Sequence, residues 1–321
     1  MPVAVTTDAL LTRIKARAQV PSTEGRLSDA EILTFVDDLI LSSVGREAYD
    51  ADDGRWIKTA ADVTLTASLA VYRLPTRALG GGVDEVILVD SAGNLAQLDY
   101  VDRADIWEYG TSTGVPVAYA ILGDVLHLLP TPSSASYSLR VRYVRRPSQL
   151  VTVASCAAIS SLSSTVLTVV SPPSAWASVS LEIDVVEAVH HGESLEDDVT
   201  VTGNGGPTTL TRSTGSFATS GAYAIQGNNN NHYRAYACET GETCVVQVPD
   251  IAIPYVADLA ARDVCVALGD MEGADRAASL AEQRRKEMSA VISERSRTRP
   301  KIVPRNSPLR VSGMRAARWF R

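Results

Sequence analysis

The period of the apolar residues changes along this chain, and the order of the changes restricts its fold more than any composition value does. Residues near the N-terminus repeat at helical spacing, residues 63–146 alternate with period two, residues 151–248 form short β-type runs, and residues 250–294 return to helical spacing. A helix-period stretch and a strand-period stretch bury different faces and do not interchange. The order helix, sheet, β segment, helix therefore predicts that the first and last helical stretches pack together, with the β segment looped out between them. The expected class is α+β: a helical bundle of two N-terminal and two C-terminal helices, a small antiparallel sheet, an inserted all-β barrel or sandwich, and an extended C-terminal arm. The boundaries are residues 1–150 for the first part of the core, 151–248 for the inserted β domain, 249–294 for the second, helical part, and 295–321 for the arm.

Local signals support each stretch. Leu10, Leu11, Ile14 and Ala18 share one helical face ahead of Pro21, and Ser28-Asp29-Ala30-Glu31 is a capping box before the stripe Ile32, Phe35, Val36, Leu39, Ile40 and Val44. Helices are expected at about 7–18 and 28–46. Val83–Val89 and Leu95–Tyr100 flank a DSAGN turn, and Val117–Leu122 and Val125–Leu129 flank Gly123-Asp124, giving two hairpins with a short helix at Asp102–Tyr109 between them. Leu139, Val141 and Tyr143 alternate with Arg140 and Arg142, so that strand has one buried and one charged face.

The β segment is rich in Ser, Thr, Val and Gly, and its only basic residues are Arg212 and Arg234. Its strand candidates are Thr165–Val170, Val179–Val186, Val199–Thr202, Ala222–Ile225 and Cys244–Val248. In the final helical stretch Pro254 suits a first turn and Gly269 a stop. A second helix from about Glu272 carries Ala277, Leu280, Ala281, Met288, Val291 and Ile292 on one side and Arg284, Arg285, Lys286 and Glu287 on the other.

Charge is distributed unevenly. Residues 292–321 carry +8 through Arg295, Arg297, Arg299, Lys301, Arg305, Arg310, Arg315, Arg318 and Arg321 against Glu294, whereas the whole chain is −7 and the remainder therefore −15. Pro300, Pro304 and Pro308 stop this segment from continuing as a helix, and its scattered apolar residues build no core. Arginines together with Trp319 and Phe320 are the composition of an interface anchor, and the prolines reduce the entropy lost on docking. An acidic protein partner fits better than direct DNA binding, because the acidic remainder repels DNA; a solubilising tail and a nucleic-acid-binding arm are the alternative readings.

Catalytic signatures are weak. His190-His191 with Asp197 and Asp198 reads as a solvated loop, since adjacent strand histidines point to opposite faces. Gly80-Gly81-Gly82 reads as a flexible turn, Asp37-Asp38 and Asp52-Asp53 as exposed faces or turns, and Asn228–Asn231 as a loop tip. Cys238 and Cys244 flank an ETGET turn at hairpin spacing, while Cys156 and Cys265 have no evident partner; the four cysteines read either as reduced thiols or as including a Cys238–Cys244 bridge. Cys238 and Cys244 lack a second pair for zinc. The chain thus reads as non-enzymatic, without cofactor or metal. No stretch approaches the roughly eighteen apolar residues of a spanning helix, and the N-terminus lacks the signal-peptide pattern.

Four segments together resemble a known family: Tyr72-Arg73-Leu74-Pro75 before a hairpin, Gly114-Val115-Pro116-Val117-Ala118-Tyr119, Gly123 to Pro132 (GDVLHLLPTP), and Leu139 to Pro147 (LRVRYVRRP). This pattern, with a helical stretch opening at Pro249-Asp250 and a C-terminal arm, is similar to the head–tail adaptor, or connector, proteins of tailed bacteriophages, of the tail-accessory or tail-tubular type. The resemblance spans about 1–150 and 249–321 and leaves the β segment unexplained.

The resemblance implies a structural virion protein of the neck, assembled in the host cytoplasm as a ring of copies of itself, usually twelve. It implies docking beneath the portal ring through the arm and joining to the next neck or tail protein. It implies a bore that passes genomic DNA without specific binding, and no membrane partner. The arm residues Arg295 to Phe320 named above become candidate portal-docking residues, and the β segment is expected to project outward from the ring. Some relatives are credited with cell-wall hydrolase activity; the paired carboxylates this would require are not evident in the chain.

Overall fold

The computed structural model describes residues 5–21, 25–44, 47, 58–75, 77–109, 112–162, 166–176, 180–187, 194–203, 209–213 and 235–297. The protein is α+β, with helices, several sheets and a closed barrel. It divides into two compact units, residues 1–53 with 148–321, and residues 54–147.

The first unit opens with α1 (Thr7–Arg17), capped by the Thr6 hydroxyl, which accepts the Ala9 N–H. Leu10, Leu11 and Ile14 are buried as their spacing predicts. The expected capping box opens α2 (Asp29–Leu39): Ser28 N–H donates to Glu31 Oε2 at 2.7 Å, and Glu31 N–H donates to Ser28 Oγ at 3.2 Å. The helix runs on as one π turn, Ile40–Val44, and Ile32, Val36, Leu39, Ile40 and Val44 are buried.

The second unit contains two sheets where one small sheet is expected. The first, in the order β1 (Lys58–Thr64), β10 (Ser138–Arg145), β3 (Ala78–Val89), β4 (Leu95–Gln97), is antiparallel throughout. The second is β2 (Val71–Arg73), β8 (Val125–Leu129), β7 (Ala118–Leu122) and β5 (Asp99–Tyr100), with β5 parallel to β7. A short parallel pair, β6 (Thr113–Gly114) with β9 (Thr131–Pro132), accompanies them. Both predicted hairpins are present, and each belongs to a different sheet. One cluster including Leu74, Val86, Leu88, Leu126, Leu128, Leu139, Val141 and Tyr143 draws on both sheets. Such a core buries one face of β10 at Leu139, Val141 and Tyr143 and explains the alternation that the sequence displays there. On the far face of β10, Arg140 grips Asp62 with two bonds of 2.8 and 2.9 Å, and Arg142 pairs with Glu85.

Gly80-Gly81-Gly82, read from sequence as a turn, lies inside β3, where the pairing with β10 shifts register. A Cβ on Gly82 would stand 3.0 Å from the Leu79 carbonyl oxygen and crowd it, so the irregular strand favours a residue without one. The expected short helix is a 3₁₀ segment at Arg103–Tyr109.

Back in the first unit, β11 (Gln149–Leu150) leads into a barrel. The barrel comprises β12 (Ala157–Leu162), β13 (Val166–Val170), β14 (Ser180–Glu187), β15 (Ser194–Gly203), β16 (Thr209–Arg212) and β17 (Ala235–Glu239). The strands follow the order β12-β13-β16-β15-β14-β17 and close through β17 with β12, every ladder antiparallel. Trp176 fills the interior with Leu167, Val169, Ile183, Val185, Val199, Val201 and Leu210, and its indole N–H donates to Glu239 Oε1 at 3.1 Å. Closure leaves no free edge, and inward side chains fill a barrel of this size.

Three predicted strands are found, Ala222–Ile225 lies outside the described residues, and Cys244–Val248 is corrected. That run leaves the barrel as a buried extended segment alongside the start of the chain, with Val246 N–H on the Val5 carbonyl and Thr7 N–H on the Cys244 carbonyl. Its β-type composition reflects burial and not membership of a sheet. The incoming strand β11 pairs in parallel with outgoing β18 (Glu242–Thr243), so the two ends of the barrel segment run side by side.

Two helices close the unit. α3 (Ile253–Leu268) carries Pro254 in its first turn and stops at Gly269, whose φ of 83° is left-handed. α1, α2 and α4 (Met271–Arg297) all contact α3. Gly273, Ala274, Ala277, Ala281 and Met288 of α4 are buried, while Leu280 and Val291 are exposed. The helix continues to Arg297, beyond the boundary at 294 expected from sequence. Among the described residues no helix is long and apolar enough to cross a membrane.

Candidate functional site

The basic arm is the functional candidate of the sequence, and the structure describes its root. Arg295 and Arg297 stand on the last turn of α4 and not in an extended arm. Arg299, Lys301, Arg305, Arg310, Arg315, Arg318, Trp319 and Phe320 lie outside the described residues. Upstream, α4 balances its own charge: Arg284 pairs with Glu287 at 2.7 Å, Arg285 with Glu282 at 3.6 Å and with Glu47 at 3.7 Å, and Lys286 with Glu282 at 3.9 Å. These are exposed pairs of small individual worth. They leave the basic excess to the end of the helix and the residues after it.

Three buried joints hold the unit that carries this root. The first is Asp37. Its carboxylate accepts the Leu150 N–H at 3.0 and 3.2 Å, tying α2 to β11. Burial pushes its pKa up to about 6, against the lowering effect of that hydrogen bond, and neighbouring Asp38 raises it further. Asp37 is thus not the exposed acid expected from sequence; it is the half-buried member of the pair, with Asp38 exposed.

The second joint is Arg17 with Asp258. Arg17 Nη1 lies 2.6 Å from Asp258 Oδ1 and donates to the Pro254 carbonyl at 2.6 Å, so the end of α1 clamps the first turns of α3. Burial raises the Asp258 pKa more than Arg17 lowers it. Arg17, Gln19, Asp258, Gly273, Arg276 and Leu280 line a small cleft here.

The third joint is a sulfur cluster. Cys156, just ahead of β12, is disulfide-bonded to Cys238 in β17. This corrects both the expected Cys238–Cys244 bridge and the reading of all four cysteines as reduced thiols. Cys156, which has no partner legible in sequence, is brought to Cys238 by barrel closure. Cys244 and Cys265 are free and buried. Burial pushes the Cys244 thiol up to about 12, so without a metal beside it the group stays protonated at neutral pH. Val186, Tyr236 and Val245 pack around the cluster.

Of the remaining candidates, Asp52-Asp53, His190-His191 and Asn228–Asn231 lie outside the described residues, as do the side chains of Asp197 and Asp198. Gln247 Oε1 accepting Ser148 N–H at 2.8 Å and Asp184 Oδ2 accepting Gly241 N–H at 3.0 Å are joints that sequence reasoning missed. Nothing local marks them, because each partner is remote in the chain.

A chain whose buried polar side chains join one segment to another is built as a scaffold, and it carries a charged helix end leading to a basic tail. The family whose model matches, over residues 5–178 and thus more than half of the chain, is described as SU10 adaptor protein. The chain belongs to the SU10 adaptor protein family, consistent with a phage head–tail adaptor and a place in the virion. The matched range includes both sheets and extends into the first strands of the barrel. No curated protein matches the chain.

Proposed function

We propose that the protein is a non-enzymatic head–tail adaptor that forms a ring, expected to hold twelve copies, in the virion neck. It docks beneath the capsid portal through the basic segment that begins at the end of α4, and it joins the capsid to the next neck or tail protein. The observation that carries this reading is the charge separation: +8 over residues 292–321 against −15 in the remainder. A basic segment of this kind complements an acidic or apolar cleft on a partner. The acidic remainder suits a bore through which DNA passes without sticking. Residues 151–248 act as an insertion that projects outward, a reading supported by the parallel pairing of β11 with β18 at its two ends. The N-terminal and C-terminal helices form the bundle that carries the arm.

The test is co-sedimentation of the full chain with purified portal rings, compared with a chain lacking residues 298–321, which keeps α4 whole. Loss of binding on truncation is expected, together with weakening at raised salt. Unchanged binding would overturn the role of the arm, and an image placing residues 151–248 in the channel would overturn the outward projection.

A further inference from the structure

Cys156, Cys238 and Cys244 place their three sulfur atoms within 4.8 Å of one another, and all three residues are buried. A disulfide accounts for two of these sulfurs and leaves the third unexplained. The three arrive from different places: the turn before β12, the strand β17, and the outgoing segment that runs beside α1. They converge only when the barrel has closed and its end has docked on the N-terminal helix. Thiolates that share one zinc ion at about 2.3 Å stand roughly 3.8 Å apart, a spacing compatible with this cluster.

We propose that, in the reduced chain, Cys156, Cys238 and Cys244 bind one zinc ion, so that the disulfide and the metal are alternative occupants of one sulfur cluster. Binding releases three protons: three thiols and Zn²⁺ give a trithiolate complex of charge −1 with an open fourth position. A residue with an oxygen to offer, Thr7, is hydrogen-bonded to Cys244 through its backbone. Thr7 is fully buried, its hydroxyl has no hydrogen-bond partner among the described residues, and its backbone N–H donates to the Cys244 carbonyl at 2.9 Å. Thr7 is also the first residue of α1, so the cluster adjoins the positive end of an eleven-residue helix, which favours a site of net negative charge. A phosphine opens Cys156–Cys238 by supplying two electrons and becoming its oxide, while water supplies the oxygen of that oxide and the two protons that regenerate the thiols. The metal would then hold both ends of the barrel segment to α1, the connection that the disulfide makes only in part. Borderline-soft zinc suits a thiolate set, and Mg²⁺ or Ca²⁺ does not.

The test uses the full chain, reduced with a phosphine under anaerobic conditions, incubated with zinc sulfate and desalted. Elemental analysis is expected to give about one zinc per chain, and Cys244→Ala is expected to lower this to under about a tenth, while Cys265→Ala leaves it unchanged. Cobalt chloride in place of zinc is expected to produce thiolate-to-cobalt charge transfer and the intense visible bands of a four-coordinate ion. Mapping of the Cys156–Cys238 bond in oxidised Cys244→Ala shows whether that variant folds, and if it does not, the wild-type cobalt spectrum decides. A reduced wild-type chain with less than about a tenth of a zinc, a six-coordinate cobalt spectrum, or a folded Cys244→Ala chain that keeps its zinc would each overturn the proposal.

Discussion

Opening the Cys156–Cys238 bond is expected to destabilise the barrel far more than its burial alone would suggest. The bond joins residues 82 apart in sequence, and it encloses every strand of the barrel from β12 to the end of β17. Cross-linking a loop of that length removes about 15 cal/mol/K of entropy from the unfolded chain, or about 4.5 kcal/mol at 25 °C. Removal of both sulfurs by Cys156→Ala with Cys238→Ala deletes that constraint and a small apolar contact with Val186, Tyr236 and Val245. A loss of about 4 kcal/mol makes amide exchange through barrel opening roughly a thousandfold faster, because each 1.4 kcal/mol is tenfold. Hydrogen exchange followed by peptide mass spectrometry reads β12, β14 and β17 separately from β3 and β10, which belong to the other compact unit and act as the control. The measurement is made on oxidised wild type and on the double variant, with a chelator present so that no metal substitutes for the bond. Acceleration of less than about tenfold in β14 and β17, with β3 and β10 unchanged, would refute the loop-closure argument; equal acceleration everywhere would show that the variant unfolds as a whole.

Two further outcomes follow from the other buried joints. Asp37 has a folded pKa of about 6 against 3.8 for the free group, so the folded chain binds the extra proton, and the stability this supplies is complete below about pH 4 and lost as pH rises through about 6. The full shift of roughly two units corresponds to about 3 kcal/mol, and partial solvent exposure reduces it to about 1 kcal/mol. Asp37→Asn, which keeps an acceptor for the Leu150 N–H, is therefore expected to gain about 1 kcal/mol at pH 7 and to flatten the pH dependence between 4 and 6. Urea unfolding of both chains across that range checks it, and an undiminished slope in the variant would contradict it. Arg17→Ala leaves the carboxylate of Asp258, 4% exposed, without its guanidinium, at a cost of about 3 kcal/mol. Arg17→Met combined with Asp258→Leu should return to within about 1 kcal/mol of wild type, and a double variant as unstable as the single one would show that packing, not the stranded charge, is responsible.

Much of this protein is legible in its amino-acid sequence alone. The Ser28–Glu31 capping box, the stop at Gly269, the turn at Gly123-Asp124 and the alternation along β10 all appear where sequence places them. Each depends on residues no more than a few positions apart, and steric and hydrogen-bonding rules act at that range in any context. The basic character of the tail is likewise a property of composition alone. The bond between Cys156 and Cys238, the hydrogen bond of Asp37 to a backbone 113 residues away, and the division of the alternating strands into two sheets carry no local mark. The first two arise when the barrel closes and α2 meets β11, because burial then selects which distant polar groups and sulfurs become neighbours, and the third when strands remote in the chain pair. The glycines of β3 show the same effect in reverse: a triplet that favours a turn in isolation lies within a strand because Ala78 and Val83 on either side of it pair with β10.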